Sequence, residues 1–172
     1  VSHHGEDGLE KTLETSPVPA VFVGRPFESA DRLFYTDVDN VSAGRMATQH
    51  LLGLGRRRVA HIAGPQDMAA GIDRRTGWLE VLTEAGLRTD ASVEVDFSVP
   101  EGERAMARLL QSHPDIDAVF AASDALAIGA MRVLRAAGKS IPDDVAVIGY
   151  DDLDLAATAI PPLTTMRNPV VE

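Results

Sequence analysis

Arg74, Phe97, Ser123 and Asp151 supply a cation, an aromatic ring, a hydroxyl and a carboxylate, and each follows a strand-like run, Arg74 after the intervening loop 64–73. In an open parallel sheet such positions share one rim, beyond the carboxyl ends of the strands. The set suits a small polyhydroxylated ligand. A carboxylate accepts from two adjacent hydroxyls, a guanidinium donates in a fixed fork, and a ring covers the apolar face of a sugar. Each residue also has a plainer reading. Arg74 can be a solvated residue in the first turn of a helix, although a cation there opposes the helix dipole and argues for a function. Asp151 and Asp152 can cap a turn; Asp151 is read as a ligand contact and Asp152 as a cap. Ser123 and Asp124 both suit a helix N-cap; Asp124 reads as structural, and Ser123 stays open to either role. Phe97 at a strand end packs in a core or offers a platform.

Other chemistry is thinly represented. There is no Gly-x-Ser-x-Gly elbow, no phosphate loop and no Gly-x-Gly-x-x-Gly turn, so no nucleophile or cofactor loop stands beside the acidic rim. No cofactor is expected. His50 lies on an apolar helix stripe and reads as core; His61 sits inside a strand. His3, His4, Glu6 and Asp7 are close in sequence but lack the usual spacing of metal ligands, and no metal site is assigned. Asn40-Val41-Ser42 fits a glycosylation sequon, but Asn40 as a helix cap explains it.

The elements that must position these groups alternate between strand and helix. Residues 18–23, 59–63, 118–122 and 145–148 are short apolar runs and read as buried strands. Residues 93–97 alternate apolar and acidic, which predicts an edge strand with one wet face. Helices are predicted over residues 41–54, capped by Asn40 and stopped by Gly55, and over 72–85, stopped by Gly86. Another opens at Pro100 and Glu101, and a fourth runs from Ser123 or Asp124 to Ala137 before Gly138. Ala43, Met46, Ala47, Leu51 and Leu54 mark the inner face of the first. This alternation predicts an α/β fold of parallel βαβ units. The pattern breaks near Asp39 and Asn40 and again at Pro161 and Pro162, which makes both places candidate crossings between two lobes.

Composition bounds the partners. The 172 residues are 45% apolar and carry a net charge of −10, so the chain can bury a core and has no basic footprint for nucleic acid. The only basic run, Arg56 to Arg58, is short. With no cysteine there are no disulfides or thiolate sites, which fits a reducing compartment. No apolar stretch is long enough to span a membrane. The chain starts at Val1, with neither a signal peptide nor an initiator Met, so both ends are open to being cut ends.

Five segments, in order, resemble the LacI/GalR family of bacterial transcription regulators. Val38-Asp39-Asn40 with the run from Leu51 through Arg56-Arg57-Arg58 to Gly64-Pro65 is one, and Arg74-Arg75-Thr76-Gly77-Trp78 is another. Ser123-Asp124-Ala125-Leu126-Ala127-Ile128-Gly129 and the stretch from Ile141-Pro142-Asp143-Asp144-Val145 to Gly149-Tyr150-Asp151-Asp152 follow, and Ile160-Pro161-Pro162-Leu163-Thr164-Thr165 closes the set. The resemblance implies a periplasmic-binding-protein-like (type I) fold, with parallel sheets flanked by helices and an effector held between two lobes. Residues 40–164 then form a complete C-terminal lobe, residues 1–39 part of the N-terminal lobe, and residues 165–172 the crossover back into it. Arg74, Phe97, Ser123 and Asp151 match effector-contacting positions, with His3 a further candidate. Gly24, beside Arg25, stands where the family often carries an acidic residue, which leaves an anionic effector open beside a sugar. The implied protein is a cytoplasmic homodimer without enzymatic activity. It meets operator DNA only through a helix-turn-helix segment that this chain lacks. The rival readings are the sugar-binding receptor of a transporter, which needs a signal peptide, and, further off, an α/β enzyme.

Overall fold

The computed structural model describes residues 8–28 and 31–169. Among them, two parallel sheets organise the chain. The smaller follows α1 (Leu9–Glu14) and pairs β1 (Val21–Val23) with β2 (Phe34–Thr36), Val21 opposite Phe34. The larger contains β3 (Val59–Ala63), β4 (Ser92–Glu94), β5 (Ala118–Ala121), β6 (Ala146–Asp151) and β7 (Thr164–Arg167) in the order β4-β3-β5-β6-β7, every pair parallel. Between them run α2 (Asn40–Gly53), α3 (Ala69–Glu84), α4 (Val99–Ser112), α5 (Asp124–Ala136) and α6 (Asp154–Thr158). No helix among the described residues is long and apolar enough to cross a membrane.

Helices on both faces bury the central strands completely, which is why β5 reads as an unbroken apolar run and β3 as one interrupted only by His61. Alternate residues along β3 serve opposite faces. Val59 packs with Ala47, Leu51, Trp78 and Leu82 of α2 and α3. Ala60 and Ile62 pack with Met106, Leu109, Leu126 and Leu134 of α4 and α5. His61 lies on the first face, stacked between Trp78 and Phe120 at ring separations of 5.4 and 4.7 Å, with Nδ1 2.8 Å from the Phe120 carbonyl oxygen. Burial pushes its pKa down to about 3, and the carbonyl only partly offsets this.

Each helix pair crosses at glycines. Gly44 of α2 lies against the backbone of Arg74, and Gly77 of α3 against the backbone between Val41 and Arg45. Gly102 and Gly129 make the same crossing between α4 and α5. A Cβ at any of the four would overlap the partner's main chain.

Several expectations change. The cap of α2 is Asp39, whose Oδ1 accepts from Ser42 N at 2.9 Å; Asn40 is buried and bonded elsewhere. The close crossing turns small residues of α2 inward, so Met46 and Leu54 are 56% and 57% exposed and His50 is exposed rather than core. Helix α3 starts at Ala69, ahead of the expected 72. The larger sheet continues through β7, so the boundary expected at residue 164 falls on a strand. Pro161 and Pro162 lie between α6 and β7, with β7 paired to β6 in the larger sheet. Asp39 and Asn40 lie at the start of α2, a few residues after β2.

Gly102→Ala forces α4 and α5 apart and lowers the unfolding free energy by about 1–3 kcal/mol, the usual scale of overpacking, read from the urea midpoint; an unchanged midpoint contradicts the crossing. His61 has a folded pKa below its unfolded value of 6.5, so the folded state binds fewer protons. Its contribution is fully present above pH 6.5 and fades as the pH falls from there toward about 3. His61→Phe is expected to flatten the stability loss across that window, as measured by denaturation at a series of pH values.

Candidate functional site

A cavity of about 350 Å3 opens between the small sheet and the carboxyl ends of the larger one. Phe22, Gly24, Arg25 and Asp37 line it from the small sheet's side. Asn40, Met68, Arg74, Phe97, Ser123 and Asp151 line the opposite side. The four residues singled out from the sequence thus share one cavity. His3 lies outside the described residues, as do His4, Glu6 and Asp7. Among the described residues no group of three or more His, Asp or Glu side chains is placed to hold a metal ion.

Arg74 is the centre of the arrangement and only 6% exposed, so it is not a solvated surface residue. Starting α3 at Ala69 moves it into the second turn, over the sheet. Nε donates to Asn40 Oδ1 at 3.0 Å, and Nη1 donates to the Ala122 carbonyl at 2.6 Å. The guanidinium lies 3.6 Å from the centroid of the Tyr150 ring, a cation–π contact. Nη2 stands 4.0 Å from Asp151 Oδ1, too far for a hydrogen bond. Burial pulls the pKa of Arg74 below its ordinary value, with Asp151 opposing. Burial likewise pushes the Asp151 carboxyl above the usual aspartate range, and Arg74 draws it back.

The turn after β6 is strained. Asp151 has φ 113 and Asp152 φ 59, a region that side-chain-bearing residues rarely occupy. Neighbours hold it there. Asp124, fully buried, accepts from Leu153 N at 2.8 Å and from the Thr165 hydroxyl at 2.6 Å. Its role is structural, and burial raises its pKa despite those bonds. Asp152 does not cap α6; it pairs with Arg167 Nε at 2.9 Å, because β7 lies alongside. Asn168, just past β7, donates to Asp151 Oδ1 at 3.4 Å. Ser123 is a helix cap at the cavity edge. Its Oγ caps α5 by accepting from Leu126 N at 3.3 Å, and the residue borders the cavity. Phe97 packs on the core below while lining the cavity above.

Residues not assigned from the sequence complete the site. Asn40 uses both ends of its amide. Its oxygen takes Arg74, while its Nδ2 donates to Asp37 Oδ1 at 3.2 Å and to the Val38 carbonyl at 3.2 Å. Arg25 reaches from the small sheet to Asp73 on α3 at 2.5 Å, and its backbone N–H donates to Asp37 Oδ2 at 3.1 Å. Asp73 holds the Arg25 pKa above its ordinary value. Asp37 and Asn168 follow β2 and β7, strands too short and exposed to stand out, so their place at strand ends was hidden.

Residues 48–172 match the periplasmic binding protein-like domain. Over 172 residues the chain is 46% identical to the HTH-type transcriptional regulator CelR of Thermobifida fusca, covering 98% of this chain and 51% of that protein. The chain belongs to the LacI/GalR family. The ribose operon repressor of Escherichia coli K12 is 39% identical over 88% of this chain and 46% of its own length. The chain thus spans about half the length of the curated relatives it matches. Among solved structures, the transcriptional regulator CelR–cellobiose complex matches with a TM-score of 0.93 and 46% identity, covering 97% of this chain and 52% of the other. A LacI-family regulatory protein from Chloroflexus aggregans matches with a TM-score of 0.85 and 32% identity, covering 98% and 61%. In this LacI/GalR chain Gly24 lies at a turn of the backbone. Its φ of 98 turns the chain out of β1, a conformation an acidic residue would strain to adopt. The carboxylates on this side are those of Asp37 and Asp73, both bonded to Arg25.

Asn40→Ala leaves Arg74 Nε without its acceptor in a buried place and is expected to lower stability by about 1–3 kcal/mol in chemical denaturation. No change in the midpoint would mean that Asn40 does not hold the guanidinium.

Proposed function

We propose that this chain is the effector-sensing region of a LacI/GalR-type transcription regulator and that its cavity binds an uncharged sugar between two lobes. The observation that carries this is the 4.0 Å gap between Arg74 Nη2 and Asp151 Oδ1 on the cavity wall. A hydroxyl both accepts and donates, so one sugar hydroxyl can accept from the guanidinium and donate to the carboxylate. An anion there would meet the Asp151 carboxylate. Arg25 is engaged by Asp73 and Asp37, which disfavours the anionic effector that Gly24 left open. Phe97 supplies a ring for the apolar face of the sugar. The similar CelR structure, solved with cellobiose, supports a neutral saccharide.

The lobes are read as the small sheet with its neighbours and the larger sheet through β7, joined at Asp39 and Asn40. The regulator is read as a cytoplasmic homodimer that binds operator DNA through a helix-turn-helix segment outside this chain. A sugar that favours one lobe arrangement shifts the population toward it and so changes operator affinity. The site is read as binding rather than catalytic. Among the described residues its one hydroxyl, Ser123, caps a helix, and no histidine lines the cavity.

Isothermal titration with cellobiose and with glucose 6-phosphate tests the reading. Cellobiose is expected to bind and the phosphate ester to bind far more weakly; the reverse order contradicts it. Asp151→Asn weakens cellobiose binding by about 1–3 kcal/mol, the scale of a hydrogen bond to a charged group. Because burial raises the Asp151 pKa, acidification protonates it above the usual aspartate range, and cellobiose affinity falls from that point downward. Affinity that holds steady down to the usual range removes Asp151 from the contact.

A further inference from the structure

We infer that Gly64 is a specificity-determining position. Its missing side chain is the seat that holds the Phe97 ring back from the cavity, so it sets the room left for a sugar ring. The inference rests on the reading of Phe97 as a sugar contact. Ala63 and Glu94 are partners in neighbouring parallel strands, so the segments leaving β3 and β4 run side by side. Gly64 opens the first of these, and Phe97 lies on the second. A Cβ on Gly64 would overlap the tip of the Phe97 ring, at Cζ and Cε1, and press on Cε2. Gly64 itself is buried and does not line the cavity, whereas Phe97 does. The ring therefore stands between the glycine and the ligand space.

The backbone under the ring has little room to retreat. Gly71 of α3 packs so closely on Pro65 and Gly64 that a Cβ there would overlap the Pro65 carbonyl. The Gly64 carbonyl also accepts from Gln66 Nε2 at 2.9 Å. On the other segment, Ser98 caps α4 by accepting from Glu101 N at 3.3 Å, and its own N–H donates to the Asp96 carbonyl at 2.8 Å. Both ends of the contact are thus anchored, and core residues fill the space beneath the ring. A methyl group on Gly64 leaves the ring one direction to yield, toward the cavity. Because the tip of a side chain moves rather than a backbone, the fold survives and the ligand space narrows.

The test compares the protein with its Gly64→Ala, Phe97→Leu and doubly substituted forms, by cellobiose titration and by crystal structure. Gly64→Ala is expected to weaken cellobiose binding by about tenfold or more, the usual effect of one extra carbon in a pocket. It should change the thermal midpoint little and show the ring displaced toward the cavity. In the Phe97→Leu background the same substitution should cause little further loss. Two results overturn the inference: an unmoved ring in the Gly64→Ala crystal structure, or an equal loss of affinity in both backgrounds. If the unsubstituted protein fails to bind cellobiose, the carbohydrate reading fails, and the ring's position still decides the role of Gly64.

Discussion

A guanidinium removed from water at the end of a parallel sheet must find acceptors or a counter-charge there, since a buried charge without partners is among the most costly features a fold can carry. Arg74 meets that demand with groups from three elements. Asn40 comes from the start of α2, the Ala122 carbonyl from the end of β5, and the Tyr150 ring and Asp151 carboxylate from β6. Each must arrive at a fixed distance. The glycine crossing of α2 and α3 lets Asn40 approach the helix that carries Arg74. The strained turn at Asp151, tied down by Asp124 and Asn168, brings the carboxylate near without letting it close on the guanidinium. The open gap between the two charges is the part of the arrangement that a ligand can use.

The same residues connect the two sheets. Asp37, at the end of β2, meets Asn40, which meets Arg74, which faces Asp151, so a polar chain runs from the small sheet to the far side of the cavity. Arg25 and Asp73 make a second link. These contacts are few and partly exposed, whereas the larger sheet is held by two full layers of apolar packing. That contrast makes the larger sheet the more firmly built of the two.

The central strands were legible in the sequence because burial on both faces demands continuous apolar runs. The helices between them were legible from periodicity and glycine stops. Arg74, Phe97, Ser123 and Asp151 followed from the rule that ligands sit at the carboxyl ends of parallel strands. What stayed hidden has a common cause. β2 and β7 are short and partly exposed, so they carry no apolar signature, and the residues that follow them, Asp37 and Asn168, had no strand to follow. Asn40 looked like a cap because caps and buried bridges use the same side chain; only the position of Asp39 separates the two. Met46 and Leu54 were misplaced because a glycine crossing rotates a helix to a face that hydrophobicity alone does not choose.

The most direct test is a crystal structure of the protein grown with cellobiose. The account predicts saccharide in the cleft between the two sheets, with one hydroxyl within hydrogen-bond reach of both Arg74 Nη2 and the Asp151 carboxylate, and a sugar ring lying over Phe97. Saccharide bound away from this cleft, or in the cleft with the gap between Arg74 and Asp151 unbridged, contradicts it.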